Sequence, residues 1–422
     1  MSNFKRVEIA DGIYFNSIKD EKFKSNRISI NFFMPLDEKN AAANSVLSCI
    51  LPKANSKISS MEEMNLVTAG MYGAVLDCDI SSTGDNQYIT LYVQTIDNKY
   101  ALEKENLIMD IATLICDCLL KPKLIDGNFD ENIFSTEKQF IIDTIESEIN
   151  DKRIFAIKKL KENMFAGEPH GINKFGSLKH AKNLTLADIK QAYNNLLKSA
   201  KIEIMFTGCA DSKNLCDFFK DQFTVIKREN IHQNSSIISP VKKDVKNVEE
   251  TIDVNQSKLA MGFKTAPVDS YDDSLNYNVL TLLFGGTPNS RLFIYVREKL
   301  SLCYYCAANY GKQKNYILVD SGIEKDKKET VINEVLNQLS IIQNGDFAEE
   351  DLEKTKLYLE NRLKSVKDSL ISIEQWYLSQ IINNSNLSPE EENEKINKIT
   401  KQMIINAAKT LKLDTVYFLT SK

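Results

Sequence analysis

Two stretches of this sequence lie on one another without a gap. They are Gly127-Asn-Phe-Asp-Glu-Asn-Ile-Phe-Ser-Thr-Glu-Lys138 and Gly345-Asp-Phe-Ala-Glu-Glu-Asp-Leu-Glu-Lys-Thr-Lys356. Gly, Phe, Glu and Lys coincide, and each stretch leads into a long run of helical character. The order of elements around them repeats as well. The first stretch follows strand-like runs at 7–18 and 27–35, helical segments at 40–51 and 61–72, and strands at 74–80 and 87–95. In the last of these Tyr88, Thr90, Tyr92 and Gln94 alternate with Ile89, Leu91 and Val93. Helical period returns over 98–120, a charged helix is expected over 130–164, and Thr185 ahead of Asp188 reads as a capped helix start before a strand at 201–207. The second stretch follows a strand at 258–263, helices at 272–284 and from Ser290, strands at 303–310 and 317–323, and a helix at 327–343. A very long helix from Glu349 and a strand at 415–419 close the chain. Duplication of one unit accounts for matching residues and matching order together.

At 422 residues the chain is too long for one ordinary core. The polar stretch over 227–248, with Asn-Ser-Ser, Ser-Pro and Lys-Lys-Asp-Val-Lys, lacks apolar spacing and reads as a linker. The expected organisation is a first domain over 1–226, the linker, and a homologous domain over 249–422. Its class is α+β, each domain a mostly antiparallel sheet packed by helices.

Hydrophobic residues make up 43% and charged residues 26%, a globular composition. Lys and Arg number 53 against 58 Asp and Glu, so a general nucleic-acid binder is not expected. The most apolar run, 107–120, is interrupted by Asp110 and Asp117 and falls short of the roughly 20 residues that span a bilayer. The first residues carry no apolar core of a signal peptide, and eight cysteines in such a chain read as reduced thiols. The expected setting is cytoplasmic, with no membrane partner. Cys303-Tyr-Tyr-Cys306 has C-x-x-C spacing, but aromatic flanks place it on a strand, where residues three apart face opposite sides. Packing thiols are expected there, as at Cys116 and Cys118, and a zinc site would need further ligands to converge.

Histidines are scarce: His170, His180 and His232 are the full complement. No two stand four apart, so no helix can offer a histidine pair to a metal. Turn or surface packing is the expected role of His170.

Ser290-Arg-Leu-Phe-Ile-Tyr-Val-Arg-Glu-Lys-Leu-Ser-Leu-Cys-Tyr304 resembles the S-R-L-F-x-x-x-R-E-K-x-G-L-x-Y signature in the second domain of the pitrilysin/insulinase family of zinc peptidases. Phe165-Ala-Gly-Glu-Pro-His-Gly171, with Gly176 and Asn183-Leu-Thr185, is similar to that family's turn after its long helix. With the duplication, the resemblance covers essentially the whole chain and implies two domains arranged as a clamshell. Family members that cleave peptides carry H-x-x-E-H on a first-domain helix, two histidines binding zinc and the Glu acting as base. Aligned on its downstream context, that motif falls on Ser45-Val-Leu-Ser-Cys49, so Ser45, Ser48 and Cys49 replace both ligands and the base. The E-x-x-x-x-x-x-E of the long helix falls on Glu137 and Thr144. Glu137, the non-ligand member, is kept and the ligand position is Thr144. Asp143 and Glu146 are turned about 100° and about 200° from it around a helix. No base is identifiable for Cys49 as a nucleophile.

The resemblance implies a non-catalytic member that needs no cofactor, where active relatives hold zinc. Degenerate members usually pair with a zinc-bearing homologous subunit, or here with a second copy. The likeness is to the bacterial type associated with 5-aminopentanol modification of elongation factor P. Arg297 and Tyr304 match signature residues that reach towards peptide, although Ser301 replaces the signature Gly. Ala74, Val75 and Leu76 occupy the place of the edge strand that grips an extended peptide or unfolded segment. A metallopeptidase with unorthodox ligands, and a stand-alone peptide-binding or chaperone-like module, are the alternatives. Trp376, the sole tryptophan, is expected in a core or at a domain contact.

Overall fold

The computed structural model describes residues 4–234, 236–240, 244–268 and 270–421. Strands β1 (Phe4–Ala10), β2 (Ile13–Lys19) and β3 (Ser25–Pro35) precede helices α1 (Ala41–Ile50) and α2 (Met61–Gly70) and the hairpin β4 (Val75–Thr83) and β5 (Asn86–Ile96). Next come α3 (Leu107–Leu120), the short strands β6 (Leu124–Ile125) and β7 (Asn128–Phe129), α4 (Glu131–Ser147) and α5 (Lys152–Met164). Then α6 (Leu178–Asn183), α7 (Leu186–Lys198), β8 (Lys201–Gly208) and α8 (Lys213–Phe223) follow. The later chain forms β9 (Lys246–Thr251), β10 (Ser257–Lys264), α9 (Tyr271–Thr281), π-helical turns at Leu282–Gly286 and Leu292–Lys299, β11 (Cys303–Gly311) and β12 (Tyr316–Ile323). It closes with α10 (Lys328–Asn344), α11 (Glu349–Ser365), α12 (Leu370–Ile382), α13 (Pro389–Asn397), α14 (Lys401–Thr410) and β13 (Lys412–Thr420).

The duplication is written in the sheets. One has the order β1-β2-β8-β3-β5-β4 and the other β11-β12-β10-β13-β9. Reversed, the second superposes in topology on β2-β8-β3-β5-β4. Each has one parallel pair, β2 with β8 and β9 with β13, in an otherwise antiparallel ladder. The repeated glycines have a shared reason: Gly127 and Gly345 hold φ of +75° and +81° at the entry to the long helices, where a Cβ is disfavoured. The Thr185–Asp188 capping box forms as expected.

The described chain divides into two compact units. Unit 1 comprises Met1–Glu146, Ile172–Ser235 and Ser369–Leu378, and unit 2 comprises Ser147–Gly171, Ser236–Asp368 and Ser379–Lys422. These are not the contiguous halves 1–226 and 249–422, because a helix from each half serves the other unit. The single helix expected over 130–164 is broken after Ser147, and Asp151 caps a new helix by accepting from the Arg153 and Ile154 N–H groups. That helix, α5, buries Phe155, Ala156, Leu160 and Met164 against Ala260, Tyr316, Leu318, Tyr417 and Leu419 of the unit 2 sheet. The run from Glu349 breaks likewise at 366–369, and the start of α12 joins unit 1. There Tyr377 stacks on Phe4 at 4.5 Å between ring centroids, and Glu374 pairs with Arg27.

Two further expectations change. Helix α3 starts at Leu107, not at 98. The linker over 227–248 includes the first residues of β9, whose polar KNVEET sequence alternates half-buried and exposed along a sheet edge and so carries no apolar signal. Residues 235 and 241–243 lie outside the described residues. The opposite face of the unit 1 sheet bears the main apolar core, with Ile28, Ile30 and Phe32 of β3, Ile89, Leu91 and Val93 of β5, and Ile202, Ile204 and Phe206 of β8. Val46 and Leu47 of α1 and Ile111 and Ile115 of α3 pack onto it. Among the described residues no helix is long and apolar enough to cross a membrane.

Candidate functional site

Helix α1 lies on the unit 1 sheet with Ser45 and Ser48 buried at 0% and 1% exposure. Each hydroxyl is consumed by backbone. Ser45 Oγ donates to the carbonyls of Ala41 at 2.9 Å and Lys174 at 3.1 Å, and Ser48 Oγ donates to Ser45 O at 2.8 Å. Gln87 Nε2 donates to the same Lys174 and Ala41 carbonyls, and Asn44 Nδ2 donates to Gln87 Oε1. A side-chain amide and a loop carbonyl therefore fill the space beside Ser45.

Cys49, one turn on, is half-buried. Burial pushes its thiol up to about 11, and the carboxylate of Glu137 on α4 adds to the rise. Glu137 is 9% exposed and faces Lys53, with Nζ 3.5 Å from Oε1. Thr144 Oγ1 donates to Phe140 O at 2.7 Å within its own helix. A zinc site wants deprotonated thiolate, neutral imidazole or carboxylate ligands converging on one point. Here two hydroxyls are bound to carbonyls, the thiol keeps its proton, and the carboxylate already has an ammonium. The residues do not fit the metal. Among the described residues no cluster of three or more His, Cys, Asp or Glu could hold one.

The state of Cys49 is directly measurable. Its raised value means the thiolate appears only as pH climbs towards about 11. Iodoacetamide at pH 7.5 is therefore expected to leave Cys49 unmodified in the folded chain, with labelling rising above pH 10. Prompt labelling at neutral pH would show an activated nucleophile instead.

The histidines are dispersed and packed. His170 meets Phe165 edge-on at 4.6 Å, with Nε2 3.3 Å from Tyr316 Oη. Ser177 Oγ lies 2.9 Å from His180 Nδ1, and His232 Nε2 lies 2.6 Å from Asn86 Oδ1.

Among the described residues, strand β4 is the outer strand of its sheet and pairs with β5 alone. Both main-chain polar groups of one residue in an antiparallel strand point to the same side. The Cys78 N–H turns to the Asp77 carboxylate and the Ile80 carbonyl accepts from Lys174 Nζ, so even-numbered residues face the open side. Those two contacts blunt the far end of the edge. Ala74 lies just before the strand at 7% exposure, its N–H donated to Thr68 O, which takes it out of the pairing surface. Val75 is 54% exposed and Leu76 half-buried, and among the described residues nothing comparable caps Leu76.

Arg297 and Tyr304 belong to unit 2. Arg297 ends a π-helical turn, Nε 3.4 Å from Glu298 Oε1 and its guanidinium carbon 4.6 Å from the Phe293 ring centroid. Such an exposed pair contributes about 0–1 kcal/mol. Ser301 has φ of +49°, a left-handed position that explains a glycine in the signature and carries a side chain here at some cost. Tyr304 is 65% exposed. The expectation that Cys303 and Cys306 face opposite sides is overturned. Cys303 pairs with Ile323 but Tyr305 with Gly322, so a β-bulge at Tyr304 restores the two thiols to one face.

The family model for the Peptidase M16 inactive domain matches residues 183–359. A protein of Bacillus subtilis (strain 168) described as "Probable inactive metalloprotease YmfF" is 25% identical over 413 residues, spanning 97% of this chain and 96% of that one. The chain therefore resembles inactive M16 peptidase-like proteins along almost all of its length. Its fold agrees with solved structures: a conserved protein from Enterococcus faecalis V583 superposes with a TM-score of 0.91 at 24% identity, covering 100% of this chain and 99% of that one. A peptidase M16 inactive domain from Pseudomonas fluorescens gives 0.81 at 13% identity, covering 100% and 98%. Helix α1, on which the resemblance places the metal motif, lies against the sheet with Ser45 and Ser48 bonded to backbone carbonyls and Cys49 half-buried, and Thr144 bonds within α4. The plug made by Lys174 and Gln87 was not foreseen, because nothing in either residue type announces it.

Proposed function

We propose that this chain is a non-catalytic M16-type subunit that binds an extended peptide by strand addition at β4 and pairs with a zinc-bearing homologue that cleaves it. The observation carrying the reading is the open edge at Val75 and Leu76, beside a helix whose ligand positions are spent on other bonds. Main-chain pairing needs no metal, so the gripping half of a peptidase outlives loss of the cutting half. Arg297 and Tyr304 are assigned as peptide contacts of unit 2 in its own right, the guanidinium for a carbonyl or carboxylate and the phenol for a single hydrogen bond. All eight cysteines are unpaired, which supports a reducing, cytoplasmic setting.

Co-expression with a zinc-bearing homologue, then gel filtration and a peptide-cleavage assay, tests the pairing. Cleavage by the mixture, absent from either chain alone, is the expected result. Leu76→Pro removes an N–H on the open side and spares the β5 ladder. Peptide binding is expected to weaken about fivefold to tenfold, the worth of one lost hydrogen bond. Unchanged binding would rule out strand addition at this edge. Peptide binding by the isolated chain with no effect of the homologue would favour a stand-alone module. Stoichiometric zinc that disappears in Cys49→Ala would establish a metallopeptidase with other ligands.

A further inference from the structure

The β-bulge in β11 does more than reposition Tyr304. Cys303 stands opposite Ile323 and Cys306 opposite Ser321, two residues apart on β12 and therefore on one face. That separation is about 6.6 Å between α-carbons, inside the range that a disulfide spans. An unbulged strand would place residues three apart at about 10 Å and on opposite faces. Ser321 Oγ, on a residue 1% exposed, donates to Tyr305 O at 2.7 Å beside the pair, and each thiol shifts the titration of the other. The pair is asymmetric. Cys306 is buried at 4% exposure, while Cys303 is half-buried with Arg297 nearby. The Cys306 hydrogen bond first, then Ser321 and the Arg297 charge, hold the Cys303 thiol below its ordinary value against the opposing effect of burial. Cys306 moves well above its own, because its proton is engaged by Cys303 and it is buried. Of the other six thiols Cys49, Cys78, Cys116, Cys118, Cys209 and Cys216 all shift upward.

We infer that Cys303 and Cys306 form a thiol–disulfide exchange site, Cys303 attacking and Cys306 resolving, whose co-reactant is a low-molecular-weight disulfide. The Cys303 thiolate attacks one sulfur of RS–SR, a new S–S bond forms, and RS⁻ leaves with the electron pair of the broken bond. Cys306 gives up its proton and attacks the Cys303 sulfur, displacing the second RS⁻. Both leaving thiolates take up a proton, so the chain's two thiols are oxidised to one disulfide while RSSR is reduced to two RSH. Tyr304 lies between the two cysteines, so the link closes the bulge that presents its exposed ring.

The test uses the full chain with glutathione disulfide at pH 7.5, quenched with iodoacetamide, and follows the tryptic peptide 300–312 by mass spectrometry. That peptide is expected to lose two hydrogens before the other six cysteines react, and to recover them with dithiothreitol. Cys306→Ser is expected to stop at a glutathione adduct on Cys303, and Cys303→Ser to give neither adduct nor link. Arg297→Gln, distant from the sheet hydrogen bonds, is expected to slow the reaction several-fold by removing the charge that favours the thiolate. A glutathione adduct persisting on Cys303 in the unaltered chain overturns the inference. So does oxidation of the other cysteines at an equal rate, or a rate untouched by Arg297→Gln.

Discussion

Replacing Arg27 with alanine is expected to destabilise unit 1 by about 3–5 kcal/mol, the loss typical when one member of a buried ion pair is removed. Arg27 Nε donates to Glu374 Oε2 at 2.9 Å, and the two side chains are 6% and 3% exposed. The guanidinium also lies 4.0 Å from the Tyr92 ring centroid. Burial already raises the Glu374 carboxyl above its ordinary value, with Arg27 and Ser29 opposing that rise. Without Arg27 the carboxylate loses its principal counter-charge and its folded-state value climbs further. A raised carboxyl favours the folded state most below its unfolded value, and that advantage is lost as pH rises through the folded value. The deficit of the variant should therefore be largest at neutral pH and shrink in acid. Trp376, two residues from Glu374 in the same unit, reports the transition by its fluorescence in urea. A loss under 1 kcal/mol at neutral pH would mean that this helix is not held by the pair.

Leu160→Ala should cost about 2–5 kcal/mol, through lost transfer energy and the cavity left behind. Leu160 is fully buried on α5 against the unit 2 sheet. Collapse around the gap is obstructed, because the helix already approaches the backbone of β10 closely: a Cβ at Gly262 would clash with Met164 Sδ and lie 3.6 Å from Leu160 Cδ2. Phe140→Ala on α4 is the control. Its ring is 56% exposed, and its removal should shift stability by no more than about 0.5 kcal/mol. Urea denaturation followed by far-UV circular dichroism separates the two outcomes. Equal effects would contradict the burial of α5.

Most of the sheet was legible because it depends on local pattern. Alternation of Tyr88, Thr90, Tyr92 and Gln94 with Ile89, Leu91 and Val93 gave β5, and the repeated glycines gave the entries to both long helices. The lack of a histidine pair four residues apart was legible for a simpler reason: it is a matter of residue type and spacing alone. The polar edge strand β9 escaped detection because its pairing with β13, rather than its own side chains, makes it a strand. The break between α4 and α5 escaped because charged, helix-favouring residues run through it, and one capping carboxylate at Asp151 is hard to tell from the other charges around it.

Sequence by itself determined that one pattern of elements is repeated and that no two histidines stand four apart. Covalent order and residue type suffice for such statements. Tertiary structure alone decided which helix serves which sheet, since the apolar face of α5 finds its partners among residues from Val248 to Leu419, far along the chain. It also decided that Lys174 and Gln87 close the space beside Ser45, that Leu76 rather than Ala74 faces the open edge, and that one inserted residue brings Cys303 and Cys306 to the same face. Each of these depends on long-range packing or strand register, which periodicity along the chain does not encode.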